Sequence, residues 1–134
     1  MARELVAPEE MKHLVERFNY APGVKVGNML YCAGQVGRDA NMNVIDSSLE
    51  DHIVAAWENV GKVLAAGGCT YEDIVEMTTF HVDLQEQLPL FLEIKDRYIK
   101  RTPVPPAWTA IGITELTFPG QLVEIKVIAH IPGE

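Results

Sequence analysis

The chain has 134 residues, 48% hydrophobic and 22% charged, with 10 glycines and 8 prolines, which is the composition of one folded domain and excludes a disordered chain. Lys and Arg number 11 against 19 Asp and Glu, a formal net charge of −8. The overall field therefore repels phosphate backbones and acidic lipid surfaces, which weighs against nucleic acid as the main partner.

A chain of this length buries roughly two-thirds of the surface its unfolded form exposes, enough for a core without disulfide or metal staples. Cys32 and Cys69 lie far apart and belong to no CxxC pair, so both read as small buried hydrophobes. No run of about 18 apolar residues suggests a membrane span. The opening Met1-Ala2-Arg3-Glu4-Leu5 lacks the apolar run of a signal peptide, so the expected compartment is the reducing cytoplasm with no membrane partner. Without linkers or repeats the chain reads as one domain, 1–134, with 1–17 a loosely attached N-terminal segment.

In chain order, Val24-Lys25-Val26 and Met29-Leu30-Tyr31-Cys32-Ala33 read as two strands. Gly27-Asn28 between them accepts the positive φ of a tight turn. Ser47-Ser48-Leu49-Glu50 has the S-x-x-E form of a capping box. Behind it Ile53, Ala56, Trp57, Val60, Val63 and Leu64 recur at helical spacing until Gly67-Gly68. Ile74 to Leu84 alternates β-branched and aromatic residues as a strand does, with both faces mixed and so both expected to be covered. A second helix is predicted from Leu88 to Arg101, ended by Thr102-Pro103-Val104-Pro105-Pro106. Two further strands, Ala107 to Leu116 and Leu122 to Ile131, complete the order ββαβαββ.

The last strand carries Val123, Ile125, Val127, Ala129 and Ile131 on one apolar face suited to packing under helices. Its other face, Leu122, Glu124, Lys126, Ile128 and His130, mixes charge with aliphatic residues. Such a face suits a subunit contact or a cleft wall and predicts an oligomer.

No GxGxxG, Walker, HExxH or GxSxG pattern is present, so dinucleotide, nucleoside triphosphate, zincin and α/β-hydrolase readings lack support. His13, His52, His81 and His130 lack metal-ligand spacing, which leaves only a composite site across strands as a route to a metal. His81, on a strand face with Thr79 and Asp83, is a candidate general base if that face opens into a cleft, and an ordinary core histidine otherwise. Its neighbour Phe80 is taken with it as a candidate substrate contact.

Three segments stand out: Phe18-Asn19-Tyr20-Ala21-Pro22-Gly23, Ala33-Gly34-Gln35-Val36, and Pro105-Pro106-Ala107-Trp108-Thr109 followed by Leu122-Val123-Glu124-Ile125. Val26-Gly27-Asn28-Met29, Glu58-Asn59-Val60, Ala65-Ala66-Gly67, Asp73-Ile74-Val75 and the closing Val123 to Ala129 join them in order. Through these pieces, nearly the whole chain resembles the RidA/YjgF family of reactive intermediate deaminases, also catalogued as L-PSP endoribonuclease. The resemblance implies a chorismate-mutase-like α+β sandwich with two helices packed on one face of a mixed sheet. It also implies a homotrimer around a central barrel, with small-molecule clefts between neighbouring subunits. The implied chemistry is water addition to a reactive enamine or imine, releasing ammonia and a keto acid without metal or organic cofactor.

Carried over by position, Tyr20 falls at the mouth of the cleft and Gly34 on its backbone lining, after Ala33 where the family has Ser. Glu124 falls on the glutamate that orients or protonates the attacking water. Thr109 is a candidate hydrogen-bond donor to substrate. Trp108 stands where the deaminases carry a carboxylate-clamping arginine, and Lys126 where they carry a second glutamate, which places the chain in an arginine-lacking branch.

An indole has one N–H and no charge, so Trp108 cannot replace a bidentate guanidinium. Losing the partner of a desolvated carboxylate costs on the order of 2 to 5 kcal/mol, so ordinary 2-imino acids are expected to be poor substrates. Each candidate has a plainer role: Trp108 as space-filling aromatic rather than stacking platform, Glu124 in a salt bridge to Lys126, Tyr20 as packing aromatic. A non-catalytic trimeric small-ligand binder is the alternative function. Ribonuclease activity is disfavoured by the charge.

Overall fold

The computed structural model describes residues 2–133. The strands are β1 (Glu4–Val6), β2 (Gly23–Val26), β3 (Met29–Cys32), β4 (Gln35–Val36), β5 (Ile74–Val82), β6 (Ala107–Ile113) and β7 (Val123–His130). The helices are α1 (Lys12–Phe18), α2 (Leu49–Ala66) and α3 (Leu84–Tyr98). All strands join one sheet in the order β1-β2-β3-β7-β5-β6, with β4 also pairing to β7. Every pairing is antiparallel except β5 with β6, which α3 connects as a crossover. The architecture is the expected α+β arrangement with an open mixed sheet.

The predicted faces of β7 hold. Val123, Ile125, Val127, Ala129 and Ile131 are buried with Ile53, Trp57, Val60 and Leu64 of α2 in one core. Each such aliphatic or aromatic side chain contributes roughly 1.5–3 kcal/mol of burial free energy.

The structure adds the short strand β4, ends β6 at Ile113 where Leu116 is expected, and departs from the sequence-based expectations in four larger respects. Residues 4–17 are docked: β1 pairs with β2, and Met11 and Leu14 are each 1% exposed, so the N-terminal segment is no loose tail and α1 is a third helix. The α2 cap is Ser48, one residue later than the S-x-x-E pattern puts it. Its side chain accepts the Asp51 N–H at 3.0 Å, while the Ser47 hydroxyl donates to the Asp51 carboxylate at 2.7 Å.

α3 begins at Leu84 and carries Pro89 inside it, because Asp83 takes the left-handed conformation (φ 59°) and turns the chain straight out of β5. The Gln87 N–H reaches the Asp83 carbonyl at 3.0 Å, and the Gln87 side chain is anchored in the sheet as described below, which outweighs the proline penalty. Finally, only one face of β5 is covered. Met77, Thr79 and His81 point under the helices, whereas Thr78, Phe80 and Val82 remain partly exposed on the other side.

Candidate functional site

A cleft of about 400 Å³ opens beside the start of β7, a size suited to a small metabolite. Phe18 and Tyr20 enter it from the end of α1, Ala33 and Gly34 from the β3–β4 connection, and Val36, Arg38 and Met42 from β4 and the loop after it. Thr117, Phe118 and Gln121 of the β6–β7 loop and Glu124 of β7 complete the wall. Tyr20 is delivered by Asn19, which ends α1 in the left-handed conformation (φ 55°) that asparagine tolerates well.

Glu124 lies opposite Val36 on β4 and Phe80 on β5, on the sheet face away from the helices. Its carboxyl packs against Gly34, where an added Cβ would sit 2.5 Å from both Cδ and Oε2. Glycine at 34 is therefore the condition for Glu124 to occupy its place. Burial raises the Glu124 carboxyl above the ordinary carboxylate range, with Lys126 opposing. Burial likewise raises the Tyr20 phenol, against the Arg38 charge, so Tyr20 presents a neutral O–H at physiological pH.

The start of β7 is clasped from three sides. His52 Nε2 accepts the Leu122 N–H at 3.0 Å, which makes Nδ1 the protonated nitrogen, donating to the Ile45 carbonyl at 2.8 Å. The Leu122 carbonyl in turn accepts from Gln87 Nε2 and from the Val82 N–H, each at 3.0 Å. Glu124 is thus held on a rigid backbone two residues further on.

His81 belongs to this scaffold and not to the cleft. It is 0% exposed under the helices, with an edge-on contact to Phe91. One directional chain of hydrogen bonds satisfies it. Trp108 Nε1 donates to Thr79 Oγ1 at 3.0 Å, the Thr79 hydroxyl donates to His81 Nε2 at 2.6 Å, and His81 Nδ1 donates to Gln87 Oε1 at 2.6 Å. Burial lowers the His81 pKa, so the imidazole stays neutral, which suits a structural link and corrects its reading as a general base.

Trp108 is the donor that opens this chain of hydrogen bonds. Its ring lies on the helix side, 5.9 Å from the Phe91 ring centroid and under the Lys95 ammonium at 5.3 Å. It is not a stacking platform in this cleft. Thr109 sits exposed on the edge strand β6 across from Thr78, and Phe80 neighbours Glu124 in register without lining the cleft. One chain thus brings together Tyr20, Ala33, Gly34 and Glu124 but leaves Trp108, Thr109, Phe80 and His81 outside.

Sequence reasoning missed Arg38. The residue lines the cleft at 7% exposure, but in the sequence it is one basic residue in a Gly-Arg-Asp turn. Only the Asn59 side chain could have pointed to it: Nδ2 donates to the carbonyls of Val36 at 2.9 Å and Arg38 at 3.0 Å, pinning the turn to α2. Among the described residues no group of three or more His, Cys, Asp or Glu could hold a metal ion, and no helix is long and apolar enough to cross a membrane.

Fold and cleft define a small α+β protein with an enclosed carboxyl group beside a glycine. The family described as Endoribonuclease L-PSP matches residues 11–131. The RutC family protein YjgH of Escherichia coli (strain K12) is 34% identical over 132 residues, 98% of each chain. A solved structure of protein YjgH superposes with a TM-score of 0.87 at 33% identity over 100% of both chains. TdcF of the same Escherichia coli strain, which carries the name of a reactive intermediate deaminase, is 26% identical over 110 residues, 82% of this chain and 84% of its own. The chain belongs to the RidA/YjgF family.

Proposed function

We propose that the protein hydrolyses a small reactive enamine or imine in the Glu124 cleft and works as a homotrimer. The observation that carries this reading is the Glu124 carboxyl itself: seated against Gly34, raised by burial, and sharing its cleft with the Tyr20 phenol. A carboxyl held above the ordinary carboxylate range is the more ready to carry a proton, which imine hydrolysis requires. Water adds to the imine carbon while a proton passes to nitrogen. The resulting carbinolamine collapses, its C–N bond breaks, and ammonia leaves a carbonyl product. Glu124 relays the proton between water and nitrogen, and the Tyr20 O–H orients the substrate at the mouth. Similarity to TdcF supports the reaction class.

The test is ammonia release from enzymatically generated imines, with and without a carboxylate, comparing the natural protein with Glu124→Gln. Loss of about 10²–10⁴-fold in rate is expected for the variant. An unchanged rate would remove Glu124 from the chemistry, and ligand-induced stabilisation without ammonia from any imine would assign the cleft to binding alone.

A further inference from the structure

We propose that Arg38 binds a carboxylate of the ligand within the subunit's own cleft. This deepens the proposed function and rests on the same cleft being the ligand site. Arg38 is 7% exposed and lines the cleft, and its guanidinium makes a single hydrogen bond, from Nη1 to the Asp39 carbonyl at 3.1 Å. Among the described residues it forms no ion pair. In a chain with 19 acidic residues, a buried arginine left without a carboxylate is costly unless an anion completes it.

Neighbouring carboxylates are committed elsewhere. Asp39 Oδ1 accepts the N–H groups of Asn41 and Asn43, both at 2.9 Å, and Oδ2 faces the Asn43 amide at 3.3 Å. The Arg38 charge is the smallest of the influences that lower the Asp39 carboxyl, which closes its own turn and forms no salt bridge to the guanidinium. Glu124 shares the cleft, yet Lys126, not Arg38, is the cation acting on it.

The backbone that carries Arg38 is held as a binding residue's should be. Asn59 donates to the carbonyls on either side of Gly37, the Ile45 N–H donates to the Gly37 carbonyl at 2.9 Å, and Arg38 forms a bridge to Val44. A guanidinium fork fits a carboxylate or a phosphate. The Glu124 carboxyl in the same cleft favours the singly charged carboxylate over a phosphate dianion. The position implied for the anion clamp by resemblance holds Trp108, whose N–H is spent on Thr79. Arg38 then supplies the missing cation from a different element.

The probes are pyruvate, pyruvamide and inorganic phosphate, titrated against the full chain and followed by calorimetry and by the arginine guanidinium resonances. Pyruvate should bind more tightly than the other two. Arg38→Gln should weaken pyruvate at least tenfold while leaving pyruvamide within twofold, with Arg38→Lys intermediate. Should Arg38→Gln fail to fold, the natural protein still decides the matter: its Arg38 resonances must move with pyruvate and stay fixed with pyruvamide. Equal binding of pyruvate and pyruvamide, preference for phosphate, or pyruvate affinity untouched in Arg38→Gln would each overturn the proposal. If it falls while Glu124→Gln still abolishes ammonia release, the hydrolytic reading stands alone. If Arg38-dependent binding holds and no imine is hydrolysed, the anion site stands and that reading falls.

Discussion

Single residues in this protein separate cleanly into those that meet the cleft and those that hold its walls, and His81 shows how burial makes the distinction. Both its ring nitrogens are occupied, by Thr79 and Gln87, and only the neutral tautomer satisfies both. Because burial lowers its folded-state pKa, the unfolded chain binds more protons as pH drops below the unfolded value of about 6.5. Its stabilising effect is therefore fully present at neutral and higher pH and is lost on acidification. Urea unfolding between pH 7.5 and 5 should show stability falling by up to about 1.4 kcal/mol per pH unit from this group. That slope should shrink in His81→Gln.

Among elements, α2 does most to build the site. Its N-terminus is capped by Ser48, its buried stripe underlies β7, and its polar inward residues, His52 and Asn59, hold the two loops that frame the cleft. Asn59 is the more instructive because its amide satisfies two buried carbonyls at once. Asn59→Ala is expected to cost about 1–3 kcal/mol in urea unfolding, since both carbonyls lose their donor. The 36–45 turn should also exchange its amide protons faster while those of β5 stay protected. Uniform loss of protection would show that the side chain serves only global stability.

At the scale of the whole molecule, one face of the sheet lies under the helices and the other is open. On the open face Tyr31 is 45% and Ile111 38% exposed, beside the partly exposed Phe80 and Ile128. In register Tyr31 pairs with Ile128, and Phe80 lies between Glu124 and Ile111, so these residues form one surface. Under the homotrimer proposed above, this face supplies the subunit contact. Light scattering is expected to give a trimer mass for the natural protein and a monomer mass for Ile111→Lys. A monomeric natural protein would refute the assembly.

Local chemistry in the chain was enough to determine the hairpin, the long capped helix, both faces of the last strand and the family, because each depends on periodicity, turn residues or ordered short motifs. The resemblance carried by those motifs brought Tyr20, Gly34 and Glu124 forward. The tertiary structure alone decided which way strand residues such as Trp108 and His81 face, because a two-residue alternation defines two faces without saying which one the helices cover. It alone showed that the N-terminal segment belongs to the core, through Met11 and Leu14. And it alone exposed Arg38, whose burial and missing partner come from groups distant in sequence and leave no trace in its neighbours.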